Sequence, residues 1–335
     1  MYLCMNLQAV EKLLAFHFAQ PSTSIFAPEG TPAQSIFGLS IFVLGICAAI
    51  FLVVAGLLLY TIIRFRHRPH DSDREPAQIY GSNQVELSWT VIPILIIVVL
   101  FLATARVIFV TEHAPKPKNA LNVVVIGHQF WWEYRYPKLG IITANELHVP
   151  VSDPRQPTPT YLIMSSADTD HSYWVPQLAG KMDLIPNKVN TMWIDPAKPG
   201  LYLGQCAQYC GVQHAKMLIR VYADTPDEFA AWVADQQRNA TQAASAAEGR
   251  AVFQQNACVD CHRISGTAAK GQFGPDLSHV ASRDTIASGA VPLTTANLRA
   301  FVNNPADLKP GALMPAMHLN DRDLDAVTEY LMTLR

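Results

Sequence analysis

The chain has 335 residues, room for two or three domains, and half of them are hydrophobic while only 16% are charged. So low a charge content is unusual in a soluble protein, and a net charge of −2 leaves no basic field to attract nucleic acid. Six cysteines occur, and four of them fall in short pairs close to His and Met, a pattern of cofactor binding more than of disulfides.

Residues 1–34 form an N-terminal segment. Its first part places apolar residues on one helical face, interrupted by Glu11, Lys12 and His17, and lacks a signal-peptide core. It reads as a short amphipathic piece at the outer membrane surface. No charge occurs between Glu29 and Arg64, and Ile36–Ile63 is almost continuously apolar. A second uncharged run, Leu87–Ala105, is flanked by Glu86 and Arg106. Each is long enough to cross a hydrocarbon core of about 30 Å as a helix. Pro93 is tolerable there, because neighbouring groups satisfy the freed carbonyl. Residues 35–110 therefore read as a two-helix transmembrane hairpin. Its loop carries Arg64, Arg66, Arg68 and Arg74, against Lys12 before the first span and Lys116 and Lys118 after the second. Positive residues stay cytoplasmic, which predicts a loop inside and both termini outside.

Residues 111–224 are strand-like. NVVVIG, FWWEYRY, TYLIMSS, NTMWIDP and LYLGQC are short β-rich runs separated by Pro, Gly and Asn, the pattern of an antiparallel sandwich. Near its end stands Cys206-Ala-Gln-Tyr-Cys210-Gly-Val-Gln-His214-Ala-Lys-Met217. Two thiolates, an imidazole and a thioether suit copper, not calcium or magnesium. A single blue-copper site uses one Cys, whereas two thiolates can bridge two copper ions. Such a pair needs a second imidazole, for which His171 is the best candidate. Residues 225–245 turn helical and then Ala- and Ser-rich, as a tether.

A compact domain over residues 246–335 closes the chain, with Leu324, Val327, Leu331 and Leu334 along one face of its final helix. Cys258-Val-Asp-Cys261-His262 matches the C-x-x-C-H pattern of covalent haem: two thiols form thioethers with the haem vinyl groups and the next residue delivers an imidazole to the iron. Met314 and Met317 compete for the sixth position.

This last domain resembles the single-haem, class I cytochromes c over essentially its whole length. In that family the axial Met commonly precedes Pro shortly before the last helix, which selects Met314 and leaves Met317 to pack at the haem edge. Gly249, Phe253 and Tyr330 match the crossing of first and last helices. Gly274-Pro275-Asp276-Leu277 matches the loop whose proline carbonyl holds the axial His through its other nitrogen.

From the first span to Met217 the chain resembles subunit II of the haem–copper cytochrome c oxidases, on Glu86-Leu-Ser-Trp89-Thr90 with Pro93, Gly127-His-Gln-Phe-Trp-Trp-Glu-Tyr, His171-Ser-Tyr-Trp-Val-Pro, Gly180-Lys-Met-Asp-Leu-Ile-Pro and the copper loop. The resemblance implies a multi-domain membrane protein: hairpin, cupredoxin-like β-sandwich and all-α cytochrome c domain, as in caa-type oxidases. It implies a binuclear CuA centre held by His171, Cys206, the carbonyl of Gln208, Cys210, His214 and Met217. Many members carry Glu at Gln208 and use it to help bind magnesium; an amide is the poorer ligand and weakens the case for that ion. Phe130 stands where many have a Trp that accepts electrons from soluble cytochrome c, with Trp131 and Trp132 following. Glu86 matches a glutamate that opens a proton path. The implied activity is electron relay from haem c to CuA and on to a separate oxygen-reducing subunit I, with subunit III as a further partner, in a bacterial cell membrane with both cofactor domains outside. The donor would be a soluble or membrane cytochrome or a quinol–cytochrome c reductase. A CuA-containing nitric oxide reductase subunit, or a tethered redox carrier without a catalytic partner, shares the same motifs.

Overall fold

The computed structural model of the chain describes residues 23–66, 78, 80–113, 120–153, 157–241 and 243–335. The expectations for the first twenty residues, for Arg68 and Arg74, and for Lys116 and Lys118 lie outside the described residues.

Two long helices come first, α1 (Thr31–Arg64) and α2 (Asn83–Glu112), each long and apolar enough to cross a membrane. α1 begins several residues before its apolar run and stops just past it, whereas α2 extends several residues beyond its run at both ends. Large side chains such as Phe51, Leu52, Phe101 and Leu102 stand exposed along them, a surface suited to hydrocarbon. Small hydroxyls along them bond back within the helix, Ser40 to the Ile36 carbonyl at 2.9 Å and Thr90 to that of Glu86 at 2.8 Å, so these donors do not face lipid unsatisfied. Pro93 sits inside α2, which continues through it.

The β domain has ten strands: β1 (Asn122–His128), β2 (Trp131–Tyr136), β3 (Ile141–Ala144), β4 (Glu146–Pro150), β5 (Thr160–Ser166), β6 (His171–Trp174), β7 (Met182–Leu184), β8 (Asn190–Ile194), β9 (Gly200–Cys206) and β10 (Leu218–Asp224). They form two five-stranded sheets, ordered β3-β2-β1-β5-β8 and β4-β10-β9-β6-β7. Burial alternates along β1, β5 and β10, so one face of each strand joins the core. The sandwich is mixed and not purely antiparallel. β1 pairs parallel with β5 and β10 parallel with β4, because the chain changes sheet before returning beside the earlier strand. The five strand runs read from sequence all appear; β3, β4, β6, β7 and β10 were not among them.

The expected tether begins as a docked helix, α3 (Pro226–Gln236), opened by a capping box between Thr225 and Glu228. Trp232 projects from it onto the sandwich, with ring centroids 5.2 Å from Tyr136 and 4.7 Å from His148. This half of the segment is packed structure, since an amphipathic helix with a half-buried Trp against the core gains apolar contact that a free linker would forgo.

The final domain contains α4 (Ala247–Gln255), the short α5 (Cys258–Cys261), a two-stranded ribbon of β11 (Thr285–Ile286) and β12 (Val291–Pro292), α6 (Thr295–Asn303), α7 (Pro305–Leu308) and α8 (Asp321–Thr333). α4 crosses α8 at Gly249, where a Cβ would lie 1.9 Å from the Ala326 carbonyl oxygen. Only glycine fits there. Phe253 and Tyr330 meet edge to face beside the crossing, with centroids 5.9 Å apart. Leu324, Val327, Leu331 and Leu334 are all buried.

Candidate metal centres

β9 ends at Cys206, and the loop that follows returns to β10 through a 3-10 turn at His214–Lys216. Cys206 and Cys210 are both buried, with sulfurs 3.9 Å apart and unbonded. Pairing of β6 with β9 sets Tyr173 opposite Cys206, which delivers His171 from two residues away. Its Nδ1 stands 3.9 Å from the Cys206 sulfur. His214 Nδ1 and the Met217 sulfur lie 3.8 and 3.9 Å from the Cys210 sulfur. The Gln208 carbonyl oxygen is 3.2 Å from the Cys206 sulfur, while the Gln208 side chain belongs to an exposed residue. His171 and Met217 are fully buried. The fold thus brings every expected copper ligand into one cluster, and His171, Cys206 and Cys210 offer donor atoms within 4.8 Å of one another.

Surrounding groups orient these donors. His171 Nε2 bonds Asp168 Oδ1 at 2.8 Å, which leaves Nδ1 for the cluster. Asp168 also accepts the backbone N–H of Gln129 at 2.6 Å, and the Gln129 side chain donates to the Cys210 carbonyl at 2.6 Å. β1 passes the imidazole at Gly127, where a Cβ would come within 2.8 Å of the ring. Burial opposes protonation of His171, but hydrogen bonds to Asp168 and Cys206 outweigh it and raise its pKa. A hydrogen bond from Cys210 holds the Cys206 thiol well below the usual range against the effect of burial, and the same bond pushes Cys210 up. The two thiols titrate as a pair, and binding of a metal would draw both into the thiolate form.

In the C-terminal domain, Cys258, Cys261, His262, Met314 and Met317 line a single cavity walled mainly by apolar side chains. His262 Nδ1 bonds the Pro275 carbonyl at 2.8 Å, which leaves Nε2 for a ligand. Gly274 runs so close that a Cβ there would be 2.6 Å from the His262 ring. Burial lowers the His262 pKa despite the Pro275 bond, favouring the neutral, ligating form.

Three family models match the chain: the transmembrane domain of cytochrome c oxidase subunit II over residues 20–107, its periplasmic domain over 154–223, and cytochrome c over 246–335. The chain is 33% identical to cytochrome c oxidase subunit 2 of Alkalihalophilus pseudofirmus, over 92% of this chain and 90% of that one. It is 32% identical to the same subunit of a Bacillus species, over 96% and 94%. Among solved structures, the periplasmic domain of subunit II of cytochrome oxidase of Bradyrhizobium japonicum is 29% identical, covering 37% of this chain and 97% of that one at a TM-score of 0.34. The chain belongs to the cytochrome c oxidase subunit II family.

It is a membrane subunit with a fused cytochrome c domain, part of a haem–copper oxidase with a separate catalytic subunit, and its family implies haem c and copper. Both sites fit those groups. The copper cluster presents soft sulfur and imidazole donors, buried and oriented from behind. The haem cavity combines thiols, an oriented imidazole and thioethers in an apolar shell.

Other expected residues fall in distinct places. Trp132 is fully buried, edge to face with His171 at 5.9 Å and with Tyr173 at 5.3 Å. Trp131 stacks on His128 at 4.1 Å. Phe130, 7% exposed, contributes to the haem cavity wall and lies over Gly211 of the copper loop, where a Cβ would be 3.0 Å from its ring. Glu86 lies exposed in the first turn of α2. Sequence reasoning passed over Asp168, Gln129, Gln213 and Lys309; an acid three residues before His171 was the one readable sign.

Proposed function

We propose that this subunit II relays electrons from its own haem c to a binuclear CuA centre and on to the haem–copper catalytic subunit. Cys258 and Cys261 attach the haem, with His262 and Met314 on the iron. His171, Cys206, the Gln208 carbonyl, Cys210, His214 and Met217 hold two copper ions. The observation that carries the reading is the meeting of two unbonded thiol sulfurs, 3.9 Å apart, with two imidazole nitrogens and a thioether.

When bound, the haem and the copper pair supply one-electron redox chemistry. The chain's own residues bind, orient and shield. Asp168 and the Pro275 carbonyl fix His171 and His262 by their second nitrogens. Burial of Cys206, Cys210 and Met217 keeps water from the copper cluster and limits rearrangement on redox change. Reduction of oxygen to water, coupled to proton transport, belongs to subunit I, with subunit III as a further partner.

Arg64 at the end of α1 and Arg66 just beyond it support a cytoplasmic loop, and with it both cofactor domains outside a bacterial cell membrane. Glu86, near the start of α2, would then stand at the cytoplasmic side as the mouth of a proton path. The upstream donor is a soluble or membrane cytochrome or a quinol–cytochrome c reductase. Metal and haem analysis of the purified chain tests the core of this reading. Two coppers and one acid-acetone-resistant haem per chain are expected; one copper, or extractable haem, would refute the assignment at that site.

A further inference from the structure

The segment that carries Met314 begins at Lys309-Pro310-Gly311, and the structure seats it on the copper loop. Gln213, buried and adjacent to His214, donates its side-chain amide to the Pro310 carbonyl at 2.7 Å. Gly311, at φ +82°, faces Val212 so closely that a Cβ would meet its methyl at 2.4 Å. Lys309 is 4% exposed, and its ammonium donates to two carbonyls: that of Phe130 in the copper domain and, at 3.1 Å, that of Ala287 in the cytochrome domain. Phe130 in turn lines the haem cavity and covers Gly211, and its neighbour Gln129 holds the Cys210 carbonyl.

Packing does not account for a lysine here. A buried ammonium is costly unless its protons are satisfied, and an apolar side chain of similar length would fill the space without that cost. What the ammonium adds is a bond from one domain to the backbone of the other, at an aromatic residue that lines the haem cavity and lies over the copper loop.

We infer that Lys309, with Gln213, is a positioning residue for electron transfer between haem and copper. Together they seat the Met314 segment on the copper loop and hold Phe130 between the two sites. This rests on the relay proposed above. The step served moves one electron, oxidising the haem side and reducing the copper side, with no bond made or broken and no proton moved. The same arrangement buries Phe130 beneath the chain's own cytochrome domain, so electrons reach copper through the tethered haem and not through a soluble cytochrome docked at that ring.

The test uses the purified oxidase complex with Lys309→Met and, separately, Gln213→Leu. Flash reduction of the haem gives the rate of transfer to copper, and the following step gives the rate from copper to the catalytic subunit. The first rate should fall about tenfold in Lys309→Met, a change equivalent to ~1.4 kcal/mol and within what the two buried hydrogen bonds it loses can supply. The second rate, the copper spectrum and both midpoint potentials should hold. Hydrogen exchange should quicken at residues 127–132 and 309–313. Unchanged haem-to-copper rates in both variants overturn the inference while leaving the relay intact. A fall accompanied by a lost copper spectrum also overturns it, since the site would have collapsed. Absence of haem-to-copper transfer in the unaltered complex sinks the relay itself, and the inference with it.

Discussion

His171 and Asp168 are joined through Nε2 and Oδ1 at 2.8 Å, so the imidazole turns its other nitrogen to the Cys206 sulfur. The carboxylate fixes the tautomer and makes the ring a better donor. Asp168→Asn keeps the shape but replaces the charged acceptor by an amide. Copper affinity should fall about 10- to 100-fold, the usual cost of losing such a partner. Competition with a chelator measures it, and an affinity equal to that of the unaltered chain would show that Asp168 does not support the site.

The two thiols and the thioether should respond differently to substitution. Cys206 stands 3.9 Å from Cys210 and also faces His171, whereas Met217 reaches the cluster only beside Cys210. Cys206→Ser removes a bridging donor and should abolish the electron-sharing copper pair seen by electron paramagnetic resonance. Met217→Leu keeps the buried volume and should retain both coppers with a shifted midpoint potential. Retention of the mixed-valence signal in the serine variant would rule out a thiolate bridge at that position.

Much of the copper site was legible because it is local: four side-chain ligands fall between Cys206 and Met217 in one loop. His171 could only be nominated, since its approach depends on the pairing of β6 with β9. The spacing of Asp168 before His171 hinted at a partner, but nothing in the order of residues says which way an imidazole faces. The parallel pairs β1–β5 and β4–β10 were hidden too. Alternating hydrophobicity marks a strand and its buried face but carries no information about the direction of its neighbour. The links of Lys309 and Gln213 to the opposite domain lie furthest from sequence, joining residues 179 and 97 positions apart.

The crossing of α4 and α8 offers a direct test of packing. A Cβ at Gly249 would sit 1.9 Å from the Ala326 carbonyl oxygen and 2.8 Å from the Tyr330 Cβ, both held by helix backbone. Gly249→Ala must therefore spread the helices, and overpacking of this kind costs about 1–3 kcal/mol. In a domain of this size each kcal/mol lowers Tm by roughly 4–8 °C. Calorimetry should show the haem-domain transition lowered and the copper site's spectrum unchanged. An unshifted melt would mean that the close approach does not exist.

Glu133 supplies a pH test away from both metal sites. It is buried, and bonds to His128 at 3.0 Å and to Arg135. Burial alone would raise its pKa, but the hydrogen bonds and charges of those two partners win and hold it below the ordinary carboxylate value of 4.5. A carboxyl group whose pKa is lowered by folding stabilises the fold fully above its unfolded pKa. As the pH falls through about 4.5, the unfolded chain takes up the proton first, and the stabilisation drains away until the folded group protonates as well. Thermal melts of the unaltered chain should therefore steepen their loss of Tm below that pH. Glu133→Gln cannot titrate, so its acid limb should be shallower although it starts from a lower Tm at neutral pH. Parallel acid limbs in the two proteins would show that Glu133 is not paired as the structure has it.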